Sequence, residues 1–149
     1  MKKILGRIVY LFSSLEDLPP LIFRLILAYG FYEPAIMKWK DINSVAQWFG
    51  ESLHVPFPLV NAYMAASTEI VGVALLTIGF ATRFISLPMM FIMVVAIVTV
   101  HYQHGFTCCK NGFEVPFYYF FMLFSLVVTG AGRVSLDHLL KKRCGCCKE

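Results

Sequence analysis

Long apolar runs of similar length, parted by short polar breaks, dominate this chain. Four of them, residues 21–39, 59–81, 84–102 and 115–132, are long enough to cross a bilayer. The first carries Arg24 and Glu33 and closes on Lys38, the second holds one charge, Glu69, and the other two hold none. At a rise of 1.5 Å per residue, about 20 helical residues match the roughly 30 Å hydrocarbon core. The pattern predicts an all-α integral membrane protein, a four-helix bundle. Pro34 and Pro88 fall inside predicted spans, where neighbouring helices must satisfy the carbonyls they free.

Two shorter stretches show helical amphipathicity. Near the N-terminus, Ile4, Ile8, Leu11, Phe12 and Leu15 recur at helical spacing opposite Lys3, Arg7 and Ser14, predicting a helix that lies in the membrane interface. A cleaved signal peptide is rejected, because Arg7 interrupts the would-be apolar region and no small-residue cleavage site follows. Between the first two runs, NSVAQWFGESL offers Ser44 and Gln47 as a capping box and Val45, Trp48, Phe49 and Leu53 as an apolar stripe. This predicts a second interfacial helix, in the loop.

Composition agrees with the pattern. Of 149 residues, 58% are hydrophobic and 15% charged, with mean hydropathy +0.70; soluble domains hold about 45–50% apolar residues. One membrane domain, residues 1–143, is expected, with a cysteine-containing tail at 144–149. The net charge of +4 is a topology signal and does not imply nucleic acid. With four spans, Lys2, Lys3, Arg7, Arg83, Arg133, Lys141, Lys142, Arg143 and Lys148 share one side, while Lys38, Lys40 and Lys110 fall on the other. The positive-inside rule then places both termini in the cytoplasm.

Ionisable groups within the spans are the candidate chemistry, because a charge at bilayer depth is costly without a partner or a role. Ala62, Ala65 and Gly72 stand seven and four residues before Glu69 and three after it, a small-residue stripe that turns Glu69 toward the bundle interior. A functional carboxylate and a structural one are both open readings. Arg24 and Lys38 lie 14 residues apart, on nearly one stripe, with Glu33 roughly opposite. Glu69 falls between Arg24 and Lys38 in depth, so either cation is a partner. His101 ends the third run near the depth of Lys38, which allows a polar cluster of Glu33, Lys38 and His101; snorkelling is the plain alternative for Lys38.

The stretch VHYQHGFTCCKNGFE adds His101, His104, Cys108 and Cys109, and imidazole with thiolate suits copper(I) or zinc. The spacing is not that of a structural zinc site. Adjacent cysteines do not favour closing on each other, since a disulfide prefers Cα atoms about 5.5 Å apart and neighbours stand about 3.8 Å apart. The tail thiols Cys144, Cys146 and Cys147 lie across the membrane in the predicted topology, so they cannot join this loop in one site. In TGAGRVSLDHLL, Gly130 and Gly132 end the fourth helix, Ser135 caps a short following one, and Asp137 suits its first turn. Arg133 then stands beside the loop of Arg83, sharing lipid headgroups or Asp137.

Arg24, Lys38, ASTEIVGVALLTIGFATR with Glu69 and Arg83, His101 and TGAGRVSLD together resemble the DoxX family of small bacterial membrane proteins over roughly residues 20 to 140. The resemblance implies a four-helix inner-membrane bundle, named from a thiosulfate:quinone oxidoreductase subunit and found beside thiol oxidoreductases. RLILAYGFYEPAIMKWKDI, QWF, LLTIGFATR and NGFEVPFYY look most like a subgroup associated with copper-binding ribosomal peptides and their maturation enzymes; Cys108 and Cys109 depart from that pattern.

Two functional readings follow. The first is a membrane component of a redox or thiol/metal-handling system, with catalytic candidates Glu69, Lys38, His101, Arg24 and Glu33, and quinone reduction as its specific form. The second is a non-catalytic accessory that handles copper or anchors peptide-maturation partners, with Cys108, Cys109, His101 and His104 as ligands. Copper and quinone are thus the candidate cofactors. The sequence shows no haem-attachment C-x-x-C-H and no iron–sulfur spacing, so a redox role calls for a protein partner. Four short helices bury little surface, which predicts a homo-oligomer.

Overall fold

The computed structural model describes residues 17–144, and the predicted N-terminal interfacial helix, Cys146 and Cys147 lie outside them. Six α-helices and no strands occur among the described residues: α1 Leu18–Lys40, α2 Ile42–Glu51, α3 Pro58–Ile78, α4 Thr82–Ala96, α5 Glu114–Thr129 and α6 Leu136–Cys144. Helix α4 runs on through a π turn, Ile97–His101, and a 3-10 turn, Tyr102–His104. Three segments, Leu18–Lys40, Pro58–Ile78 and Thr82–His104, are long and apolar enough to cross a membrane. Helix α5 is apolar but has 16 residues, about 24 Å of rise. It stops at Thr129, three residues short of the predicted span, because Gly130 turns the chain at φ +82°.

Each helix buries one face. On α1 that face is Pro20, Arg24, Leu27, Ala28, Phe31 and Ala35; on α3 it is Ala62, Ala66, Glu69, Gly72 and Leu76. Helix α1 packs on α3 and α5, and α4 packs on the same two, so the four close a ring. Leu27, Phe31, Leu76, Met89, Leu123 and Leu126 fill its centre. Gly72 permits close approach, since a Cβ there would overlap the thioether of Met89. The perimeter is apolar and open: Phe84 is 78% exposed and Phe91 68%. A face of that kind is stable against lipid and a liability in water.

Helix α2 packs against α3 and begins one turn earlier than the capping box predicts. Asp41 is its cap: the carboxylate accepts from the amide of Ser44 at 3.1 Å and from its hydroxyl at 2.6 Å, while Gln47 turns to Glu51 at 2.9 Å. An aspartate at the N-cap satisfies an orphan amide more directly than a serine one turn later. These bonds to Ser44 hold the Asp41 carboxyl below its ordinary range.

Candidate functional site

The register between α1 and α3 creates the main polar contact. Lys38 continues the buried stripe of α1 three residues beyond Ala35, in the last turn, and its Nζ donates to Oε1 of Glu69 on α3. Small neighbours on that face of α3, Ala62, Ala66 and Gly72, let α1 come close enough for the pair to form. The Glu69 side chain is 2% exposed and that of Lys38 27%, so the lysine joins a buried carboxylate to the outside. Oε2 of Glu69 is buried with no partner. One helical turn away, the indole of Trp39 donates to the carbonyl of Ala66 at 3.2 Å and meets the ring of Tyr63 edge-on at 6.0 Å.

The remaining candidates do not join this pair. Glu33 is exposed on another side of α1. His101, in the π turn, bonds through Nδ1 to the carbonyl of Asn111 at 2.7 Å. Arg24 sits at the opposite end of α1, 2% exposed, where Nη1 donates to the carbonyl of Ala131 at 3.1 Å and Nη2 to that of Val134 at 2.8 Å. Of the two cations that the sequence offers Glu69, the structure pairs Lys38. Arg24 ties α1 to the segment after α5 instead, against Gly79, whose lack of a side chain leaves room for the guanidinium.

The loop between α4 and α5 is closed on itself. Amides of Phe113 and Glu114 donate to the carbonyls of Gly105 and Phe106 at 3.1 and 3.0 Å, and Phe106 packs edge-on against Phe113 at 5.3 Å. Cys108 and Cys109 stand exposed with free thiols at its tip, where the Cys108 amide donates to Glu114 at 3.0 Å. A hydrogen bond that the Cys108 thiol donates to Cys109, followed by the charges of Cys109 and Glu114, pushes the Cys108 thiol pKa up. His104 bonds through Nδ1 to the carbonyl of Val100 at 3.0 Å. A carbonyl only accepts, so Nδ1 is the donor in both histidines, and in the neutral ring Nε2 keeps its lone pair open. Among the described residues, no three His, Cys, Asp or Glu side chains gather as a metal-binding group.

Polar contacts of residues that the sequence singled out cluster where α3 turns into α4, some with partners other than those expected. Asp137 accepts from the amides of Ala81 and Thr82 at 2.9 and 3.3 Å, so it caps α4 as well as standing in the first turn of α6. Ser135 does cap α6, accepting from the amide of His138 at 3.2 Å. Arg133 pairs with Asp17 at 3.3 Å, and Arg83 donates to the carbonyl of Val128 at 3.1 Å.

A membrane-type helical protein with a buried lysine–glutamate pair is the class these features define. The sequence model of the DoxX family matches residues 20–102. A Haemophilus influenzae protein named "Uncharacterized protein" is 36% identical over 129 residues, covering 82% of this chain and 83% of its own. A Bacillus subtilis protein named "Putative oxidoreductase CatD" is 27% identical over 128 residues, covering 85% and 90%. The chain belongs to the DoxX family. No solved structure matches it significantly. The matched segment contains Arg24, Glu33, Lys38, Glu69 and His101 and ends before His104, Cys108 and Cys109.

Proposed function

We propose that this DoxX protein is an inner-membrane component of an oxidoreductase system, with Lys38 and Glu69 handling protons for a quinone that a partner reduces. The observation that carries the reading is the Glu69 carboxylate, sealed from solvent, bonded to Lys38 through one oxygen and unpartnered at the other. A buried carboxylate with a free oxygen can hold a proton, and the part-exposed ammonium beside it can pass one on. Reduction of a quinone to a quinol takes two electrons and two protons. The partner supplies the electrons, from a thiol or thiosulfate donor, and the Lys38–Glu69 pair supplies and replaces protons. The name of the Bacillus subtilis relative agrees with an oxidoreductase setting.

In this reading α1, α3, α4 and α5 all cross the membrane, with both described ends in the cytoplasm, in keeping with the cluster of Arg83, Arg133, Lys141, Lys142 and Arg143 at that end. Arg24 is a positioning residue, and Glu33 and His101 serve the approach to the pair. The protein acts as a homo-oligomer with partner proteins. The test is donor-dependent quinone reduction in membranes carrying Glu69→Gln: a rate lowered at least about 100-fold, the low end for a lost general acid–base group, supports the reading. An unchanged rate contradicts it.

A second reading rests on the histidine tautomers. With Nδ1 of His101 and of His104 each donating to a carbonyl, both rings present Nε2 in the arrangement that orients imidazole ligands to metals. Together with Cys108 and Cys109 they would offer a copper(I) donor set, suited to a copper-handling or anchoring accessory in the maturation of copper-binding peptides. Stoichiometric copper on protein purified without oxygen, lost in Cys108→Ser/Cys109→Ser, supports it; metal-free protein contradicts it.

A further inference from the structure

A cavity of about 580 Å³ opens at the end of the molecule where α3 turns into α4, between that turn, the segment after α5, and α6. Its walls carry three cations, Arg83, Arg133 and Lys141, and two carboxylates, Asp17 and Asp137. Both carboxylates are already engaged: Asp17 accepts from the amide and guanidinium of Arg133, and Asp137 accepts from the amides of Ala81 and Thr82. Arg83 donates to the carbonyls of Val128 and Thr129, with no carboxylate partner. Lys141 makes no hydrogen bond or ion pair among the described residues. Arg83 and Lys141 thus face the cavity without a carboxylate bonded to either, and with three cations against two carboxylates the walls carry an excess of positive charge.

Aromatic side chains line the cavity beside the cations. Phe80 and Phe84, 39% and 78% exposed, flank Arg83 in the sequence. A concave site with an excess of positive charge and exposed aromatic rings in its lining matches a molecule with an anionic head and an apolar tail. We propose that this cavity binds the phosphate headgroup of an anionic phospholipid, with Arg83 and Lys141 holding the phosphate and Phe80 and Phe84 lying against the first part of the acyl chains. Basic pockets at membrane-facing helix ends hold headgroups in this way. Binding there would brace the α3–α4 turn against α6, an action separate from the chemistry at Lys38 and Glu69.

The experiment is native mass spectrometry of the detergent-solubilised full chain with phosphatidylglycerol, phosphatidylcholine or inorganic phosphate. The expected result is preferential retention of phosphatidylglycerol, weakened about five-fold by Lys141→Gln and again by Arg83→Gln, the loss typical of one basic residue at a lipid surface. Lys110→Gln, at the other end of the helices, should leave binding unchanged. Arg83→Lys should restore most of it. Should Arg83→Gln fail to fold, Lys141→Gln decides, because its side chain holds nothing else among the described residues. Equal retention of phosphatidylcholine, or no effect of Lys141→Gln, would overturn the proposal. Inorganic phosphate competing at the same concentration as the lipid would overturn the lipid assignment and make the site one for soluble phosphate.

Discussion

Lys38 and Glu69 bridge the last turn of α1 and the middle of α3, so one ion pair fixes the register of two predicted membrane-crossing helices. Removing Lys38 leaves the Glu69 carboxylate, 2% exposed, buried without a counterpart, which costs more than removing both. Lys38→Met should therefore destabilise the folded protein by about 3–5 kcal/mol, while Lys38→Met with Glu69→Leu should be close to neutral. Unfolding by chaotrope in detergent micelles measures both. Additive losses in the double variant would mean that the side chains do not act as a pair.

Arg24 and Gly79 make a second interlock, at the other end of α1. Any side chain at Gly79 meets both an unfavourable φ of +69° and the guanidinium of Arg24. Gly79→Ala should cost at least about 1–2 kcal/mol from backbone strain alone. The loss should shrink in an Arg24→Ala background, where the clash with the guanidinium is gone and the contact with the Ser135 side chain at 2.8 Å remains, and the same unfolding measurement gives the coupling.

The extent to which this arrangement was legible in the sequence differs from residue to residue. The inward direction of Glu69 follows from its small-residue stripe, because helical periodicity is local. Its choice of Lys38 over Arg24 is not local: it depends on how far α1 slides along α3, which the loop helix α2 and the bonds of Arg24 to Ala131 and Val134 set together. Asp137 reads as a dipole partner for α6, yet it also caps α4, 55 residues earlier in the chain, because the α3–α4 turn lies against α6. Likewise, Asp41 displaces Ser44 as the cap of α2, since α1 ends so late that Asp41 is the first residue free to turn.

That cap carries a pH dependence. The Asp41 carboxyl titrates below its ordinary range because the folded state hydrogen-bonds its charged form through Ser44. A depressed folded pKa gives stability that is present above the unfolded pKa and lost as pH falls through the folded one. Helix α2 should loosen only on acidification below the usual carboxylate range of about 4. Trp48 emission in a Trp39→Phe background reports this, and Asp41→Asn should flatten the transition.

At the loop tip, the hydrogen bond that Cys108 donates to Cys109 and then the nearby charges of Cys109 and Glu114 keep Cys108 protonated to higher pH than an ordinary thiol. Only the thiolate alkylates. Iodoacetamide should therefore react slowly with Cys108 at neutral pH, and Cys109→Ala should speed the reaction and shift its pH profile downward. An unshifted profile would show that the two thiols do not interact.

The central claim is that the Lys38–Glu69 pair moves protons rather than only holding two helices together. Glu69→Gln separates these roles, because the amide keeps the shape and a hydrogen-bond acceptor for Lys38 but cannot serve as a proton carrier. The measurement is donor-dependent quinone reduction in membranes carrying wild type, Glu69→Gln or Cys108→Ser/Cys109→Ser at matched protein levels. The account predicts a rate at least about 100-fold lower for Glu69→Gln and a wild-type rate for the cysteine variant. A full rate in Glu69→Gln, with the loss falling on the cysteine variant, would contradict it and move the chemistry to the loop.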